Sequence, residues 1–274
     1  MKKYFIISAL VLAFCIMFQG CKKVGDPPAL PPAESMTIDF SNFVSTTKSA
    51  FVINDPKAVE NTNWTVAATV ASIWNTILVT KIAVPVASFA KAMQVSPTYL
   101  DNKTWQWSYS VTALAATYKA RLTGQIISTG VKWEMYIAKE GAGSYTEFLW
   151  YEGTTALDGK SGTWTINESH ENQNPMLQID WTKDGTNVGM VKYTYVKDGE
   201  SFKTSYIEYG LTSSTLNAYY TVYFWESTKL KFTTVNIEWS TSAFNGRVKA
   251  PDYFLDSNWY CWDANFNDVA CPAR

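Results

Sequence analysis

The chain has 274 residues, with 23 Lys and Arg against 24 Asp and Glu and a formal net charge of −1. That balance supplies no basic footprint for nucleic acid, whose binding domains cluster Lys and Arg and usually have a high pI. Aromatic residues make up 15% of the chain, which suits strands, because flat rings and β-branched side chains pack well on a pleated surface.

The chain opens with Met1, Lys2 and Lys3 and then runs from Tyr4 to Phe18 without a charge. A basic start followed by an apolar run of this length has the pattern of a signal peptide. It is too short to span a bilayer, which takes about 20 predominantly apolar residues. The run stops at Gln19-Gly20-Cys21. On these residues the N-terminus resembles that of bacterial lipoproteins processed by the lipoprotein signal peptidase, whose motif is a small apolar tripeptide followed directly by a cysteine. Gly20 and Cys21 match, whereas Phe18 and Gln19 depart from the usual Leu and Ala or Ser. The resemblance covers residues 1–21. It implies that residues 1–20 are removed and that the Cys21 thiol is the lipidation site, with the new terminus N-acylated. An ordinary secretory signal cut elsewhere, with Cys21 a structural thiol, is the alternative. Several acyl chains on one cysteine make a durable anchor, since each buried CH₂ contributes about 0.8 kcal/mol.

Residues 21–35 follow as a tether. Pro27, Pro28, Pro31 and Pro32 favour an extended polyproline II form, which would hold a folded body on the order of 40 Å from the lipid. Lys22 stands where the resembled Gram-negative lipoproteins carry an aspartate for retention in the inner membrane, so the resemblance implies the outer membrane. Acidic residues do not cluster after Cys21, which points to the periplasmic face over the cell surface. Without residues 1–20, which hold Lys2 and Lys3 and no acid, 21 basic residues face 24 acidic ones, a net charge near −3.

About 240 residues remain and no second low-complexity linker divides them, so residues 36–274 are expected to form one domain. Its first part, about residues 56–93, has helical spacing: Pro56 opens a stretch in which Trp64, Ala67, Val70, Trp74, Ile77 and Leu78 recur at three and four. A second helix is expected from Val84 to Met93, with Pro85 in its first turn. Between Trp64 and Thr80 no residue is charged, but Asn75 and several Ser and Thr interrupt the run and Lys81 ends it, so a membrane span is rejected. Helices this apolar should be buried.

From about residue 103 to 250 the chain alternates like half-buried strands. Trp105, Trp107, Tyr109 and Val111 share one face; so do Tyr118, Ala120 and Leu122; Val131, Trp133, Met135 and Ile137; Trp164 and Ile166; Leu177, Ile179 and Trp181; Val191, Tyr193 and Tyr195; Tyr220, Val222 and Phe224; and Val235, Ile237 and Trp239. Leu122-Thr-Gly124, Asp158-Gly159, Asp184-Gly185 and Asp198-Gly199 read as turns between them, Asp-Gly being a strong hairpin signal. About ten antiparallel strands in a meander must curl, because twisted sheets of that width seldom stay flat. The expected fold is mainly β with short N-terminal helices (α+β), an antiparallel meander curled into a barrel or half-barrel over one or two apolar helices.

The tail, residues 251–274, has no periodicity. With Cys15 in the leader and Cys21 lipidated, Cys261 and Cys271 remain as a pair expected to form a disulfide, a bond the exported compartment permits. Two free thiols or a metal pair are the alternatives, and with His170 the only histidine no metal is expected.

No catalytic residue and no cofactor is assigned. His170 lies in a polar loop, and a lone loop histidine is ordinarily just solvated. Gly-x-Ser-x-Gly, His-Glu-x-x-His and phosphate-cradling glycine motifs are absent. Glu134, Glu147, Glu152, Asp180, Glu208 and Glu238 lie in or beside strands and could pair for glycoside cleavage, yet they alternate with the aromatic positions as solvent-facing charges do. Asp180, Asp184 and Asn187 near a glycine lack the closing glutamate of a calcium loop. In element order alone, a meander wrapping over helices, the body resembles periplasmic lipoprotein-carrier and lipid-carrier half-barrels. The resemblance implies a non-enzymatic binding module for a lipid or other hydrophobic ligand, its binding residues unknown. A structural lipoprotein docking a protein partner through residues 251–274, and a glycan-binding or glycan-acting protein using the twelve tryptophans, are the alternatives.

Overall fold

The computed structural model describes residues 25–43, 62–185 and 187–272. The expected leader, the expected lipidation site Cys21 and the stretch 56–61 lie outside them. A 3₁₀ turn, Ala33–Met36, precedes the long helix α1, Asn63–Ala92. The strands β1 (Thr98–Tyr99), β2 (Thr104–Ala113), β3 (Ala116–Ile127), β4 (Gly130–Lys139) and β5 (Tyr145–Ala156) follow. Next come β6 (Ser161–Asn167), β7 (Pro175–Asp184), β8 (Asn187–Tyr195), β9 (Tyr206–Leu211), β10 (Ala218–Glu226) and β11 (Lys231–Trp239). Then β12 (Gly246–Lys249), a short helix α2 (Pro251–Phe254), β13 (Tyr260–Trp262) and β14 (Asp268–Val269) complete the order. Every strand pairs antiparallel with its sequence neighbours, giving one open fourteen-stranded sheet whose order is the chain order.

The sheet is curled, and α1 measures the curl. Its first residue, Asn63, bonds to Asp268 on β14 and to the Cys261 carbonyl on β13, while the Ser88 carbonyl accepts from Tyr109 on β2. Eleven strand spacings of about 4.8 Å separate β2 from β13, roughly 53 Å if flat. The helix covers the gap in 25 residues, about 38 Å at its ordinary rise. The chord is shorter than the arc, so the sheet forms a half-barrel with α1 across its concave face.

Bulges and glycines permit the bend. The β4–β5 register shifts between Met135 and Tyr136, and again between Ile137 and Lys139; further shifts interrupt β6–β7 and β7–β8. Gly124 lies opposite Trp133, and a Cβ there would stand 2.4 Å from Trp133 Cζ3, so the bare backbone lets the indole lie flat on the neighbouring strand. The same arrangement recurs at Gly153 under Trp164, Gly162 under Trp181 and Gly246 under Trp262. Nine of the twelve tryptophans are buried, and four of those nine cover a glycine in this way.

Several expectations are corrected. Gly124 is no turn: it sits inside β3 as the floor for Trp133. The helix is one, not two, and runs straight through Pro85, whose missing N–H forfeits one backbone bond but whose ring is buried against the core. The meander begins at Thr98 and ends at Val269, because the tail contributes β13 and β14. β5 escaped notice because its bulge puts Phe148 and Tyr151, three apart, on the inner face and breaks the period of two.

Inward-facing side chains of the sheet, among them Trp133, Met135, Ile179, Tyr193, Tyr220 and Ile237, are fully buried. Beside α1, the segment around Ala33–Met36 and on to Phe43 crosses the same concave face, so the last residues of the expected tether belong to the body: Pro31 and Ser35 are buried and Leu30 packs against the core. Trp164 Nε1 donates to Ser35 Oγ at 3.3 Å, and Tyr193 Oη to the Met36 carbonyl at 2.5 Å. Tyr220 Oη donates to the Asp39 carbonyl, and the Phe43 ring meets Trp239 edge-on at 4.9 Å. Cys261 and Cys271 form a disulfide that closes the hairpin of β13 and β14.

Candidate functional site: a groove along the central helix

The chain's own residues 35–43 cover one flank of α1, leaving there a cavity of only about 160 Å³. The other flank is open. Between it and the ends of β7, β8 and β10 lies a groove of about 600 Å³. Trp74, Met176 and Leu177 form its floor, Ile73 and Ile77 one wall, and Phe202 and Trp225 the other. A second cavity of about 280 Å³, which shares Val70 and Phe224 with the first, continues it along α1 towards Val66 and Val235. Both volumes together fall in the range of about 300–1,000 Å³ that holds small-molecule ligands.

The groove exists because α1 is apolar on more than one side. Ala67, Ala71, Trp74, Leu78 and Ile82 face the core, yet Ile73 and Ile77 on the next flank are left 55% and 40% exposed. The opposite wall hangs on the β8–β9 loop, residues 196–205. Lys197 Nζ pairs with Glu168 Oε1 at 2.9 Å, the Phe202 ring meets Tyr195 at a tilt with centroids 4.5 Å apart, and Ser205 Oγ accepts from the Trp225 amide at 3.3 Å.

Two charged residues line the groove, Lys81 and Glu168. Glu168 is engaged by Lys197 and by Asn172 Nδ2 at 2.6 Å. Lys81 makes no ion pair or hydrogen bond among the described residues, which leaves one uncompensated positive charge beside an apolar trough.

The residues singled out from the sequence lie elsewhere. His170, on the β6–β7 loop, stacks flat on Tyr145 with centroids 4.2 Å apart, and burial pushes the Tyr145 phenol up to about 12. The strand carboxylates hold outer-face partners. Glu134 pairs with Lys132 at 2.7 Å and Glu147 with Arg121 at 2.7 Å, while Glu208 accepts from Tyr219 Oη at 2.9 Å. Glu238 holds Arg247, and Asp180 accepts from Gln178. Glu152 opposes Glu134 across β4 and β5 on the same outer face. Burial raises the phenols of Tyr109 and Tyr151, so neither acts as a base near neutrality. Another cavity, of about 560 Å³ beside the disulfide, is lined by the Glu238–Arg247 pair among others, with the guanidinium 4.4 Å from the Trp259 ring. Among the described residues no three of His, Cys, Asp and Glu come together.

Sequence reasoning found the helix but not its groove. The usable signal was the excess of apolar residues over what one buried face needs; Phe202 and Lys81 carried none. No protein-family model, curated protein or solved structure matches the chain.

Proposed function

We propose that this protein is a cell-envelope lipoprotein, anchored through Cys21 in the outer membrane and facing the periplasm, whose half-barrel is a non-enzymatic binding module for a lipid or other hydrophobic ligand. The groove beside α1 takes the apolar part, and Lys81 meets an anionic end. The observation that carries this reading is the uncovered trough itself: apolar side chains of Ile73, Ile77 and Phe202 remain solvent-facing around about 600 Å³ of space, on the flank that the chain's own segment does not fill. From Val66 to Lys81 the helix advances about 22 Å, room for one long acyl chain lying along it.

The direct test is titration of the purified protein with palmitate and with the matching alcohol, hexadecanol, followed by calorimetry. Both are expected to bind, and Val70→Trp, which fills the junction of the two cavities, is expected to abolish both. Lys81→Gln should weaken palmitate about fivefold, the worth of one exposed ion pair of roughly 1 kcal/mol, and leave the alcohol unchanged. Absence of binding by either probe to the parent protein would remove the reading.

A further inference from the structure

Three leucines stand where a soluble surface disfavours them for two separate reasons. Leu114, Leu230 and Leu255 are 67%, 75% and 87% exposed. Each also has left-handed backbone, with φ of 48°, 49° and 63°. Gly or Asn adopts that conformation readily, whereas a longer L side chain is strained in it. Leu114 and Ala115 form the whole two-residue connection between β2 and β3, both at positive φ, where Asn-Gly is the favoured pair. Leu230 closes the turn before β11, and Leu255 caps α2.

In a meander the connections alternate between the two ends of the sheet. Those between β2 and β3, β10 and β11, and β12 and β13 fall at one end, as does the β8–β9 loop that walls the groove. At the other end the left-handed positions belong to Asn102, Lys103, Gly159 and Gly185, and to two phenylalanines with structural contacts. Phe266 packs on Trp64 at 4.6 Å, and the Phe244 carbonyl accepts from Trp262 Nε1 at 2.8 Å. Among the described residues no leucine takes such a backbone there.

We propose that the end of the half-barrel at which the groove opens touches a lipid bilayer directly, through Leu114, Leu230 and Leu255. The three tips sit on separate turns with polar residues between them, Lys229 and Asp252 joining two of the turns by a hydrogen bond. Isolated apolar tips would each need a pocket in a protein partner, whereas a fluid hydrocarbon layer accepts them singly. The loops at this end carry more carboxylates than lysines, so the fitting surface is zwitterionic, not anionic. The contact is additional to the Cys21 anchor and orients the groove mouth towards the membrane.

The test uses the mature chain, residues 21–274, with Cys21→Ser, which has neither leader nor acylation point, floated with phosphatidylcholine vesicles. Beside it runs the same chain with Leu114→Asn, Leu230→Asn and Leu255→Asn; Asn accepts the left-handed backbone, so the variant should melt at or above the parent's temperature. The parent is expected to float, and the variant's partition coefficient to fall at least about thirtyfold as three buried leucines are lost. Leu100→Asn with Leu157→Asn, at the opposite end, should float like the parent. Should the triple variant melt lower, Leu230→Gly with Leu255→Gly replaces it. Equal flotation of parent and variant, an equal loss in the opposite-end control, or a parent that stays with the aqueous fraction overturns the proposal. So does a stoichiometric protein found on the three leucines in place of lipid. Palmitate binding by the triple variant is expected to be unchanged, so groove and rim fail separately.

Discussion

Gly124 and Leu230 show what a single backbone position can demand. A methyl at Gly124 would meet Trp133 at 2.4 Å, and that ring is fully buried with no room to retreat. Gly124→Ala is therefore expected to destabilise the protein by about 2 kcal/mol through overpacking, read as a lower urea midpoint at unchanged slope. Leu230→Gly should move the midpoint the other way, by about 0.5–1 kcal/mol, because its left-handed backbone is relieved and its side chain packs on little. Neither was legible in the sequence. A glycine between two apolar runs reads as a turn, and nothing local says that an indole from the next strand lies on it. The Asp-Gly turns at Asp158-Gly159 and Asp184-Gly185 were legible, because there the demand for positive φ is local.

At the scale of elements, α1 is held at its start by residues 205 and 198 positions away. Thr62 Oγ1 accepts from the Thr65 amide, and the Asp268 carboxylate accepts from the Asn63 amide at 2.7 Å, an acid placed at the positive end of the helix. The disulfide between Cys261 and Cys271 closes the loop that carries Asp268. Cys271→Ser is expected to cost about 2–3 kcal/mol and to speed hydrogen exchange at the first turn of α1 more than at its centre. Short helix α2 is pinned by Asp252, whose carboxyl lies below the ordinary carboxylate range because Lys231 and Thr233 bond to it. A depressed native value means stability present above the unfolded value of about 3.9 and lost as pH falls through the folded one. The protection factor at residues 252–255, the exchange rate corrected for its intrinsic pH dependence, should therefore be flat from pH 7 to 5 and fall only in stronger acid. Periodicity revealed most strands and the helix; it missed β1, β5, β9, β12 and the tail strands, where a bulge or a length of four residues or fewer hides alternation, or a single Glu-Tyr-Gly run interrupts it.

For the whole molecule, the open sheet, the helix across it and the segment around residues 33–43 divide one concave face into a filled half and an empty half. The sequence pattern carried the curl, since so many antiparallel strands cannot stay flat, but not the division, which depends on where distant residues 35–43 come to rest. Cys21→Ala in the mature chain, residues 21–274, is expected to lower the membrane-bound share and to make what stays bound wash off on dilution, because the rim leucines partition weakly beside an acyl anchor. The most direct measurement of the central claim is native mass spectrometry of the protein extracted from its own membrane. A bound species of lipid mass, lost in Val70→Trp, is predicted. A bare polypeptide in both, unable to take up added palmitate, would contradict the account.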